Sequence, residues 1–180
     1  KGVGALWVRP GTRITPLLDG GSQEKGLRSG TLNVPGIVGI GAAASIAHDR
    51  LMVDLKRLQD LRDRLERELT GVIDGLIVNA ATADRLPQTS SLTFPAVRAA
   101  NLLTELRGLA LSAGSACASG TGKPSRVLKA IGLSDADALA TIRFSLGRFT
   151  TEEQVDKTIE MVSDAYRNLS KASRSTTVSV

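Results

Sequence analysis

From Leu76 onward the chain predicts a small α+β domain, with helices packed against a mixed or antiparallel sheet. Three observations carry this expectation. Short apolar runs bounded by Gly or Pro recur at residues 76–78 and 92–94, and TIRFSL at 141–146 alternates between apolar and polar. Between them lie apolar residues at helical spacing. Thr150 and Glu153 have capping-box spacing ahead of a final periodic stretch.

The 180 residues are enough for one ordinary domain, or for one domain with part of another. Hydrophobic residues make up 42% and charged ones 23%, a globular composition, and no apolar run approaches the roughly 20 residues of a membrane helix. A soluble protein without membrane contact is therefore expected. The net charge of +5 comes with one Trp, one Tyr and three Phe, too few aromatics for base stacking, so no direct nucleic-acid partner is expected. Cys117 is the one cysteine. It cannot form an internal disulfide, which suits a reducing compartment, and with no targeting segment visible the cytoplasm is the expected location. No metal-ligand spacing is present.

Residues 3–8 read as a buried strand closed by Arg9, Pro10 and Gly11, and residues 12–18 can pair back on it. An apolar strand this close to Lys1 leads us to expect a preceding element. The glycine-rich stretch 19–36, with Lys25, Arg28, Ser29 and Thr31, can present backbone N–H groups to an anion or serve as plain connection. Pro35 suits a helix start. Ile37, Ile40, Ala44, Ala47, Leu51, Leu55, Leu58, Leu65 and Leu69 then keep helical spacing, as one long helix or two abutting ones with a charged, solvated outer face. His48 lies within it and reads as a packing or surface residue. A short helical pattern at 98–107 is followed by an expected strand at 109–111. Pro124 and Ser125 open a helix through Ile131. In TIRFSL the alternation puts Ile142, Phe144 and Leu146 on one face and Arg143 on the other, as a solvated residue or an anion clamp. The last helix is expected to end near Leu169, with 171–180 a flexible tail.

Strand 109–111 delivers the chain into SAGSACASGTGK, residues 112–123. A thiol is nucleophilic as thiolate, and the small neutral neighbours of Cys117 do little to lower its pKa. Its flexible surroundings suit a thiol that must move between a pocket and an outside acceptor. They equally suit a cysteine that only packs.

Four blocks, KGVGALWV, QEKGLRSGTLNVPGIVGIG, GSACASGTGKPSRVLKAIG and TIRFSLGRFTTEEQVD, resemble the C-terminal half of a cysteine desulfurase. These are pyridoxal-phosphate enzymes related to the class V aminotransferases, and the similarity extends to about residue 170. The resemblance implies an α/β fold of type I, in which residues 1–36 finish the large cofactor-binding domain, 37–70 form a connecting helix and 71–170 form the small α+β domain. It further implies conversion of L-cysteine to L-alanine, with pyridoxal 5'-phosphate as electron sink and a persulfide left on Cys117. The persulfide passes to a sulfur-acceptor or scaffold protein, for iron-sulfur cluster assembly or tRNA thiolation.

Residue by residue, Arg143 matches the arginine that holds the substrate carboxylate. Thr31, in RSGT, matches the residue that reaches the cofactor phosphate of the partner protomer, which implies a homodimer. Arg28 and Ser29 rank second for that role. Lys1 matches a lysine beyond the cofactor-anchoring one, whose Ser-x-His-Lys block is expected upstream; the 180 residues alone are then expected to be inactive. Asp19 stands where many members have His. Two alternatives remain: a non-catalytic interaction module, or an enzyme for selenocysteine or cysteine sulfinate.

Overall fold

One 39-residue helix, α1 (Val34–Val72), runs through the computed structural model, which describes residues 2–113 and 123–177. Asn33 begins it, its Oδ1 accepting the Gly36 N–H at 3.1 Å. Pro35 costs no intrahelical bond in this first turn. Two compact units, Lys1–Met52 and Val53–Val180, divide inside this helix.

In the first unit no described residue is buried. Residues 3–8, expected as a strand, form none, and Leu6 and Trp7 are 79% and 78% exposed. A strand needs a ladder partner, and residues 12–18 do not pair back on it. The expectation that no stretch approaches a membrane span is also corrected. An 18-residue window of α1 has mean hydropathy 1.2, enough by length and composition to cross a bilayer, and none of it is buried. In GIVGIGAAASIA the apolar character comes mainly from Ile37, Val38, Ile40 and Ile46, with the alanines adding less and the glycines nothing.

The second unit holds the core. Leu58, Leu61, Leu65 and Leu69 line one face of α1 and pack towards a three-stranded sheet. Its strands β1 (Ile77–Val78), β2 (Thr89–Thr93) and β3 (Thr141–Ser145) lie in that order, and both pairings are antiparallel. Leu92 pairs with Ile142 and Ser90 with Phe144 on the buried face. Among the described residues between β2 and β3 lie the helices α2 (Ala99–Glu105), α3 (Arg126–Ala130) and α4 (Asp135–Leu139). Helix α5 (Glu152–Thr177) adds Val155, Val162 and Ala165 to the core. Tyr166 on α5 donates its hydroxyl to the Pro95 carbonyl at 3.2 Å, with its ring 6.2 Å from that of Phe94.

Local expectations differ in four places. Residues 109–111 form no strand, and the chain there makes a single bridge, Ser112 to Arg143. Helix α4 was not anticipated, because five residues show no periodicity; its signal is Ser134, whose Oγ accepts the Asp137 N–H at 3.1 Å. The capping box before α5 is Thr151 with Gln154, each side chain accepting the other's backbone N–H at 3.2 and 3.1 Å. Thr150 instead closes the preceding turn, accepting the Gly147 N–H at 2.9 Å. Finally, α5 continues past Leu169 to Thr177, since KASRSTT contains neither Gly nor Pro to stop it.

Candidate functional site

The second unit presents a polar sheet face made by alternation on β2 and β3. Register pairs Ser91 with Arg143 and Thr89 with Ser145 there, opposite the apolar face. Arg143 is exposed, and among the described residues its guanidinium has no carboxylate partner. Its backbone is held from both sides. Beyond β2, the Arg143 N–H donates to the Ser112 carbonyl at 2.7 Å, and the Ser112 N–H donates to the Arg143 carbonyl at 3.3 Å.

Ser112 is the first residue of SAGSACASGTGK. The bridge therefore ties the root of the cysteine-bearing segment to the strand residue that carries the guanidinium. Cys117 itself, with Gly114, Gly120 and Gly122, lies outside the described residues. Past that segment the chain re-enters at α3, where the Ser125 Oγ accepts the Leu128 N–H at 3.5 Å.

Along the same face, towards the Thr93–Thr141 pair, runs a hydroxyl network that sequence patterns do not show. Asn79 Nδ2 donates to Ser91 Oγ at 3.1 Å and to Thr93 Oγ1 at 2.9 Å. Thr93 and Thr141 share a hydrogen bond of 2.7 Å, and Thr141 donates to the Asp137 carbonyl at 2.6 Å. Asn79, Thr93 and Thr141 are buried, so each needs these partners. A cleft of about 440 Å³ flanks the same edge, between residues 108–111, the end of β3 and the first turns of α5.

The first unit carries the other residues singled out by sequence, and it forms them into a braced loop. Ser29 Oγ donates to the Leu18 and Asp19 carbonyls at 3.1 and 3.2 Å. An Arg28 guanidinium nitrogen donates to the Gly30 and Thr31 carbonyls at 2.9 and 3.1 Å. Gln23, which sequence reading passed over, accepts the Gly30 N–H on its Oε1 at 3.1 Å. The Thr31 side chain is exposed, and its hydroxyl makes no hydrogen bond among the described residues. Lys25 and Glu24 are both left-handed, at φ 58° and 50°, a conformation costing about 1 kcal/mol or more for a residue with a Cβ. Such a turn persists only where its surroundings hold it.

A family described as Aminotransferase class-V matches residues 1–158, and the chain belongs to that family. Its curated relatives include cysteine desulfurases. The chain is 45% identical to the cysteine desulfurase IscS of Anaeromyxobacter sp. (strain Fw109-5), over 96% of this chain and 43% of that protein. It is likewise 45% identical to a cysteine desulfurase of Trichormus azollae, over 94% and 43%. Among solved structures, a NifS-like protein superposes with a TM-score of 0.76 at 36% identity, covering 88% of this chain and 40% of the other. A protein solved as "SspA in complex with cysteine" gives 0.54 at 31%, covering 77% and 37%. The chain thus spans less than half the length of these relatives, and the fold is the type I fold of NifS-like proteins.

Proposed function

We propose that the chain is the C-terminal segment of a pyridoxal-phosphate-dependent cysteine desulfurase that converts L-cysteine to L-alanine and leaves a persulfide on Cys117. The observation that supports this most is the backbone bridge between Ser112 and Arg143, since Ser112 begins the segment that carries Cys117. Sulfur removal from a free amino acid needs both a carboxylate anchor and a nucleophile for the sulfur. Arg143 is the anchor, its planar fork suited to a bidentate carboxylate. Cys117 is the nucleophile: its thiolate forms the new S–S bond as the substrate C–S bond breaks. A neighbouring protein binding cysteine supports the substrate class.

The braced loop of the first unit fits one end of pyridoxal phosphate. Among the described residues the Thr31 hydroxyl is uncommitted, Arg28 adds positive charge beside it, and Gly30 at φ 98° lets the backbone approach closely. A hydroxyl and a guanidinium with little side-chain bulk are donors suited to a phosphate monoester. When bound, the cofactor supplies an electron sink for labilising bonds at the substrate Cα and Cβ. Thr31 holds the phosphate of the partner protomer, so a complete site needs a homodimer, and Arg28 and Ser29 shape the loop. The persulfide is passed to a sulfur acceptor for iron-sulfur cluster assembly or tRNA thiolation, and the enzyme works in the cytoplasm.

Two substitutions in the enzyme carrying this chain test the reading. Cys117→Ala is expected to abolish a protein-bound persulfide after incubation with L-cysteine and to lower alanine formation at least about 100-fold, the scale of a lost nucleophile. Unchanged alanine output would refute the role. Arg143→Ala is expected to raise KM for cysteine by about 100-fold, the loss of a charge-assisted bidentate contact; an unaltered KM would remove Arg143 from the site.

A further inference from the structure

We infer that Gln23 is the positioning residue of the phosphate-side loop, fixing the peptide that aims Thr31. This inference rests on the reading of Thr31 as a phosphate ligand. Gln23 is half-buried in a loop whose other residues are mostly exposed. Its Oε1 takes the Gly30 N–H at 3.1 Å, seven residues away across the loop. Arg28 takes the Gly30 carbonyl at 2.9 Å. Gly30 is therefore held at both its amide and its carbonyl, and Thr31 follows directly.

The loop is also built around this side chain. A Cβ at Gly21 would stand 2.4 Å from Gln23 Oε1 and 2.9 Å from Nε2, so glycine there leaves the room that the amide fills. On the opposite arm a Cβ at Gly20 would meet the Ser29 Cβ at 3.0 Å, where Ser29 reaches back to Leu18 and Asp19. With φ at 98° and no side chain, Gly30 does little to hold its own conformation. Without the Gln23 acceptor the amide turns to water, and the direction of the Thr31 hydroxyl is no longer set. Gln23 touches no reacting atom in this account; it acts through Gly30.

The test uses Q23M, Q23E and T31V, with two readouts. Hydrogen exchange at the Gly30 amide reports the brace. The ratio of dissociation constants for pyridoxal phosphate and pyridoxal, measured on the dimeric enzyme carrying this chain, reports the grip on phosphate. Q23M, close in shape but without an acceptor, is expected to speed Gly30 exchange about tenfold and to weaken pyridoxal phosphate about tenfold, the scale of one hydrogen bond, with pyridoxal unchanged. Q23E keeps an acceptor at the same place and is expected to keep Gly30 slow. Fast exchange in Q23E, or an unchanged ratio in Q23M where T31V lowers the discrimination, overturns the inference and leaves the Thr31 reading standing. An unchanged ratio in T31V overturns both.

Discussion

Glu66 and Arg85 meet through two hydrogen bonds of 2.7 and 3.1 Å, with both side chains largely out of water. The hydrogen bond to Glu66 raises the Arg85 pKa, against the opposing effect of burial. A raised folded-state value stabilises the fold below the unfolded pKa and loses effect only as pH rises through the folded one. Arg85 is therefore expected to contribute no pH dependence near neutrality. Removing one partner strands the other: Arg85→Met is expected to cost about 3 kcal/mol, read by urea denaturation, and a loss under 1 kcal/mol would show that water reaches Glu66. None of this pairing was legible in sequence, because the partners lie on separate elements. The side of β3 that carries Arg143 was legible, since alternation alone assigns it. Whether it is an anion clamp was not, because pattern cannot show that no carboxylate meets its guanidinium.

At the scale of elements, the helices α1 and α5 were readable because apolar periodicity persists over many turns. Their ends were less so. Thr150 and Thr151 both offer a hydroxyl, and only the turn from Gly147 decides which one caps α5. Thr151→Ala is expected to lower stability by about 1 kcal/mol, measured by thermal denaturation; an unchanged Tm would mean that the cap contributes nothing. The segment 109–111 shows the limit in the other direction. Its apolar residues predict a strand, yet a strand exists only as far as its ladder, and here that is one bridge to Arg143. That same bridge joins the cysteine segment to the candidate carboxylate anchor.

Across the whole molecule the buried residues belong to one unit. The core runs from Leu58 through Leu92, Ile142 and Val162, whereas no described residue of Lys1–Met52 is more than partly buried. Hydrogen exchange on the 180-residue chain is expected to show the slowest amides in β2 and β3, with residues 2–33 exchanging within about tenfold of unstructured peptides. Equal protection in both would contradict this division. Sequence by itself determined the long helices α1 and α5 and the α+β class of the second unit, because these rest on local period, while Cys117, Arg143 and Thr31 were singled out by the family blocks they lie in. Tertiary structure alone decided that Ser112 bonds to Arg143, that Asn79, Thr93 and Thr141 satisfy one another, and that Gln23 grips Gly30. Each of those contacts joins residues distant in the chain, and no local pattern records which distant donor an acceptor meets.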